Sequence, residues 1–236
     1  MQRTMLRVLA VTFALSPAIG FAQSPKAATY ITDEEVKKVN SQPGVDRTIR
    51  VVDIGNENFA VGIIHRGPSG GGANTAAGGG RAAANAAGGG AGGGANAAAG
   101  GGAGRGAAAG AGPCGEQQAG SAPTGATPGG IAHDSQTEGY VIVSGGGTLV
   151  TGGHIVNGRK SAPDAEVTKV LNGPSCSGII AGSDVVKRQV KTRDIIIIPA
   201  GVPHGWIDIA DHVDYLSLRP SDHILEAGYV HPSIKK

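Results

Sequence analysis

From Thr48 to Ile54 and from Phe59 to His65 the chain runs in short stretches rich in Val and Ile. The four residues between them, Gly55-Asn56-Glu57-Asn58, are turn formers, so the pair reads as a β-hairpin. Six further runs of the same character follow, at Glu138 to Ser144, Thr148 to Thr151, Ser177 to Ala181, Asp184 to Lys191, Asp194 to Pro199 and Val213 to Leu218. Turn residues divide nearly all of them: Gly145-Gly146-Gly147, Gly152-Gly153, Asn172-Gly173-Pro174 and Gly201. Ile195 to Ile198 is an unbroken apolar run ending at Pro199, the pattern of a strand buried on both faces. Helical signals are confined to Thr32-Asp33-Glu34-Glu35, where Thr32 can cap a helix and Glu35 can close the capping box, predicting a short helix to about Val39. Many short strands, glycine-rich turns and almost no helical period predict an all-β barrel or sandwich with a short N-terminal helix.

Two segments stand outside this pattern. Met1 to Ala22 has the form of a secretory signal: Arg3 and Arg7 in a positive start, a mostly apolar stretch from Val8 to Ile19, and small residues Gly20 and Ala22 at a cleavage site after Ala22. A periplasmic or secreted protein is the expectation, with no integral membrane segment after cleavage, since no apolar run reaches the roughly 20 residues needed to span a bilayer. From Gly67 to Gly112 the chain is almost only Gly and Ala, 20 and 18 among 46 residues. Such a composition buries too little to offset the entropy of ordering it, which predicts a disordered insertion. Pro113 to Gly130, rich in Gly, Pro, Ser and Thr, extends it. The expected organisation is therefore a signal at 1–22, a helix and barrel strands at 23–66, a low-complexity insertion at 67–130, and the barrel core and tail at 131–236. Loop closure entropy rises only logarithmically, about 2 kcal/mol for a tenfold longer loop, so the insertion need not divide the domain.

Charge and aromatic content narrow the function. The chain has 20 Lys+Arg against 18 Asp+Glu, and removing the leader leaves 18 against 18. A protein that is neutral without its leader, in a chain with only eight aromatic residues, two of them in that leader, offers neither a basic field nor a stacking platform, which argues against a nucleic-acid partner. The glycines do not form a phosphate loop either: Gly145-Gly146-Gly147 joins two strand patterns, and the long Gly/Ala tract contains no Lys.

The residues able to do chemistry are His133, Glu138 and His204. Two imidazoles and one carboxylate can hold a divalent transition metal and leave positions open for water, substrate or dioxygen. Without a metal, His133 and Glu138 would form a hydrogen-bonded pair in the barrel, and the residues alone leave both readings open. Strand alternation places Trp206 and Asp208 with His204, and Tyr140 with Glu138, as the aromatic and polar wall of a small-molecule cavity; core filling is the alternative for Trp206 and Tyr140. The remaining histidines, His65, His154, His212, His223 and His231, read as surface or core residues. Cys114 and Cys176, the only cysteines, can form a disulfide in an oxidising compartment or can stay unpaired, and no Cys-x-x-Cys pattern marks a zinc or redox site.

At these residues the sequence resembles the cupin superfamily. The first cupin motif, G-x5-H-x-H-x3,4-E-x6-G, falls on Gly125, Ile131, His133, Glu138 and Gly145, with Ile131 where the family has its first histidine ligand. The second, G-x5-P-x-G-x2-H-x3-N, is matched by Pro199, Gly201 and His204, with Arg193 in place of Gly and Asp208 in place of Asn. The resemblance covers about 80 residues and implies a cupin-type, jelly-roll-like β-barrel with a metal (Fe, Mn or Zn) on His133, Glu138 and His204. It also implies a small-molecule ligand or substrate and a homodimer. Cupins include dioxygenases, isomerases, lyases and non-catalytic proteins, so an exported metal-dependent enzyme and a metal-free binding or structural barrel both remain as functional expectations.

Overall fold

Thr32 accepts a hydrogen bond from the Glu35 amide at 3.3 Å, and the Glu35 carboxylate accepts from the Thr32 amide at 3.2 Å. This closed capping box starts helix α1 (Asp33–Asn40) where the sequence predicts it. Val39 is fully buried against Ile49, Ile63 and Ile234, which seats the helix on the outside of the sheet behind it. The computed structural model describes residues 27–69 and 112–235. The expected secretory segment and all but the ends of the expected Gly/Ala tract lie outside the described residues.

The strands are β1 (Asp46–Asp53), β2 (Asn58–Arg66), β3 (Pro113–Cys114), β4 (Thr127–His133), β5 (Glu138–Thr151), β6 (His154–Lys160), β7 (Ser175–Ala181), β8 (Val186–Lys191), β9 (Ile195–Ile198), β10 (His204–Ile207) and β11 (Val213–Ser221). All named strand pairs are antiparallel. One sheet has the order β1-β2-β11-β5-β9, the other β8-β5-β10-β4-β7-β6-β3. Strand β5 belongs to both: its first half pairs with β11 and β9, its second half with β10 and β8. The three glycines expected to form a hairpin turn instead lie within this one long strand and carry it from sheet to sheet. Gly145 has φ +67° and a Cβ there would lie 2.0 Å from the His212 carbonyl oxygen, so the corner requires glycine. Between the sheets Tyr140, Ile142, Leu149, Val190, Ile198, Val213 and Tyr215 form the main core. The fold is thus mostly antiparallel β with a short N-terminal helix, as the pattern of strands predicts.

Three local expectations are corrected. Ile195 and Ile197 are 72% exposed while Ile198 is buried, because β9 pairs only with β5 and one of its faces is left uncovered. The insertion does not extend to Gly130: Pro113–Cys114 pairs with β6, and Thr127 already belongs to β4. Strand β6 lacks a strand signal because Asn157-Gly158 reads as a turn; here Asn157, at φ 50°, sits in a register shift against β7. The residues flanking the Gly/Ala tract are tied to the barrel. The Ser69 amide donates to the Ile209 carbonyl and the Lys160 amide donates to the Gly112 carbonyl, at 3.0 and 2.9 Å.

Candidate metal centre

Each of the three candidate ligands sits at a strand end. His133 closes β4, Glu138 opens β5 and His204 opens β10. The turn between β9 and β10 holds its shape through the Val202 amide on the Pro199 carbonyl (3.1 Å). Gly201, at φ +79°, donates its amide to the His133 carbonyl at 2.7 Å, so the turn carrying His204 is pinned to the strand carrying His133. His133 and His204 are 2% exposed and Glu138 is fully buried.

Glu138 Oε2 lies 3.3 Å from His133 Nε2 and 3.1 Å from His204 Nε2, and ligand atoms of the three residues fall within 4.8 Å of one another. The Val202 carbonyl, 3.0 Å from His204 Nδ1, can only accept, so Nδ1 carries a proton and Nε2 is the nitrogen turned toward Glu138. Both Nε2 atoms are buried and neither has a hydrogen-bond partner. Donor atoms about 2.0–2.2 Å from a common ion stand about 3.0–3.4 Å apart at octahedral to tetrahedral angles. The two measured separations lie in that range. A converging set of nitrogen and oxygen atoms at ligand spacing, with no hydrogen bond at either Nε2, fits a divalent cation.

The other carboxylate oxygen is fully engaged. Glu138 Oε1 accepts from Ser217 Oγ at 2.7 Å and is paired with the Arg219 guanidinium, while Tyr140 donates its hydroxyl to Oε2 at 3.1 Å. Burial by itself would raise the Glu138 pKa, but the Arg219 cation holds it well below the usual carboxylate range. Burial, then Arg219, pushes His133 down to about 4, so this imidazole is neutral and ligand-ready at neutral pH. Desolvation, reinforced by Glu138, raises Tyr140 well above an ordinary phenol, so it stays a neutral donor. Arg219 and Ser217 escape the motif reading because they lie beyond both motifs. Their signal is the alternation of β11, which turns Val213, Tyr215, Ser217 and Arg219 to the same, buried side.

Tyr140 and Trp206 belong to the core beside the centre: Tyr140 packs against Tyr215 with ring centroids 4.2 Å apart, Trp206 lies 5.4 Å from Tyr215, and Tyr140 meets His204 edge-on at 6.1 Å. Asp208 does not join this wall. Strand β10 ends at Ile207, Asp208 turns at φ 52°, and its side chain is exposed. Ile131, at the place of the missing histidine, pairs with His204 across the ladder between β4 and β10. His65 lies on the outer surface with Asp214 at 2.6 Å, and His154 pairs with Glu116 at 3.0 Å; neither approaches the centre. Cys114 and Cys176 form a disulfide that ties β3 to β7.

No protein-family model matches the chain, and no curated protein is significantly similar to it in sequence. Among solved structures, it is similar to a conserved protein with a double-stranded β-helix domain from Klebsiella pneumoniae, at 13% identity over 84% of this chain and 94% of that one, TM-score 0.35. It is also similar to an oxalate oxidase in complex with the substrate analogue glycolate, at 12% identity over 78% of this chain and 55% of that one, TM-score 0.32. Both scores are below 0.5, and the class is defined by the chain itself: two antiparallel sheets sharing β5, with the two motifs meeting at the ends of β4, β5 and β10. The two segments that resemble the cupin motifs thus come together on a fold of two antiparallel sheets.

Proposed function

We propose that the chain is an exported cupin whose His133, Glu138 and His204 hold a divalent transition metal, Fe, Mn or Zn, and that it acts on or binds a small organic molecule there. The observation that carries this reading is the pair of buried, partnerless imidazole Nε2 atoms converging on Glu138 Oε2. A bound ion would supply Lewis-acid or oxygen-binding chemistry. The protein's part is positional. Val202 fixes the His204 tautomer, Gly201 fixes the strand end that carries His133, and Tyr140 keeps its proton and donates to Oε2. Ile131 contributes an apolar side chain where the family has a ligand, which leaves one more coordination position to water or substrate. Among the described residues, the buried Trp206 indole N–H and the Gln136 carboxamide also have no hydrogen-bond partner.

The second reading, a binding or structural barrel without metal, is favoured by Arg219, which already neutralises Glu138. Elemental analysis of protein produced from Gln23 onward without a metal-affinity tag separates the two. About one metal per chain, lost in a His133→Ala/His204→Ala variant, supports the metal reading. No metal after reconstitution refutes it. Export is tested by fractionating cells that express the full chain, with the amino terminus of the exported product expected at Gln23.

A further inference from the structure

Glu138 has two carboxylate oxygens with different surroundings. Oε1 accepts from Ser217 Oγ and from Arg219, while Oε2 faces the two imidazoles. Arg219 is itself immobilised from three directions. Its Nε donates to Ser217 Oγ at 2.7 Å, and its Nη1 donates to the Leu171 carbonyl at 3.1 Å and to Asn172 Oδ1 at 2.8 Å. Ser217 accepts from Arg219 and donates to Glu138, so its single proton has one destination. Leu171 and Asn172 belong to a π-helical turn (Thr168–Asn172) outside the strands, and Leu171 packs closely on Gly62 of β2. The guanidinium is thus held in one geometry by Ser217, which also donates to Glu138, and by Leu171 and Asn172 on the turn outside the strands.

We infer that Arg219 is a positioning residue that occupies Glu138 Oε1 and so restricts the glutamate to one-oxygen ligation through Oε2, keeping open a coordination position that a two-oxygen glutamate would close. The inference rests on the metal reading above. Its physical basis is that a carboxylate oxygen already holding a hydroxyl and a guanidinium, both buried, must give up both to turn toward an ion. The cation also withdraws negative charge from the ion's surroundings, so it trades affinity for an open, exchangeable position. Asn172 and Leu171 extend that restriction to the turn outside the barrel.

Mn(II) is the probe: its affinity is measured by competition with a chelator, and its bound waters by proton relaxation. Wild type should retain about three inner-sphere waters on an octahedral ion held by three donor atoms. Arg219→Met should bind Mn(II) more tightly, by about 10- to 100-fold, the range over which outer contacts tune ligand sets, and hold one water fewer. A residue needed only for folding would weaken binding instead. Arg219→Lys, which keeps the charge but lacks the planar fork, should fall between the two. Asn172→Ala, which loosens Arg219 and leaves the ion pair in place, should shift both readouts in the same direction by less and keeps the test available if Arg219→Met does not fold. Equal affinity and equal water number in wild type and the folded variants would overturn the inference. Failure of wild type to bind Mn(II), Fe(II) or Zn(II) at all would instead overturn the metal reading.

Discussion

His133 should make the metal-free protein lose stability on mild acidification, well before its carboxylates are protonated. In the unfolded chain this imidazole takes up a proton near 6.5; in the fold, burial first and Arg219 second hold it down to about 4. Between those values the unfolded state binds more protons than the native state, so falling pH favours unfolding. The contribution is fully present above pH 6.5 and is lost as the pH falls toward 4. A drop from 6.5 to about 4, at about 1.4 kcal/mol per pH unit, amounts to about 3 kcal/mol, a large part of the 5–15 kcal/mol typical of a domain. Glu138, held well below the ordinary carboxylate value by Arg219, contributes in the same direction but only at lower pH, below its unfolded value near 4.5. The two residues therefore act in successive windows. Urea unfolding of chelator-treated protein, followed by the fluorescence of Trp206, the one tryptophan, should show wild type losing about 2.5 kcal/mol more than His133→Gln between pH 7 and pH 4.5. Parallel stability curves for the two proteins across that interval would refute the reasoning.

Three other outcomes are expected. Replacing Cys114 and Cys176 by Ser opens a bridge between residues 62 apart, which chain-entropy reasoning values at about 4 kcal/mol; a loss under about 1 kcal/mol in chemical denaturation would show that the unfolded chain is not restrained by it. Ile131→His restores an imidazole beside His204 across the ladder and should tighten Zn(II) binding at least about tenfold in chelator competition; no gain would mean that position 131 does not face the ion. The homodimer implied by the family resemblance has a candidate surface in Ile195 and Ile197, exposed on a strand with one open edge, and Ile195→Asp/Ile197→Asp should yield monomers by sedimentation; a dimer surviving the change would place the contact elsewhere.

The strands and the capped helix could be read from the sequence because their causes are local: alternation, β-branching, turn residues, and the Thr32 and Glu35 pair. The three candidate ligands were legible as a set from the spacing of the motif-like segments, and the structure brings all three together. What was hidden depends on partners far along the chain. Gly145 reads as a turn in isolation, and becomes a mid-strand corner because His212 crowds it while Val190 crowds Gly146 beside it. Ile195 and Ile197 read as buried because composition cannot tell an outer strand from an inner one. Arg219 looks like a surface residue near a proline until β11 is placed beside β5, when its only sensible counterion is Glu138. Asp208 was misplaced because alternation was carried one residue past the end of β10.

The hydrogen bonds at Ser69 and Gly112 give the barrel a modular joint. Ile209 and Lys160 hold the chain on either side of residues 70–111, and the disulfide at Cys114 locks the returning strand two residues later. Both anchors use main-chain groups, so they fix where the chain leaves and rejoins the barrel whatever side chain stands at Gly112. The points of exit and return are therefore set by Ile209 and Lys160, residues of the same half of the chain that carries His133, Glu138 and His204.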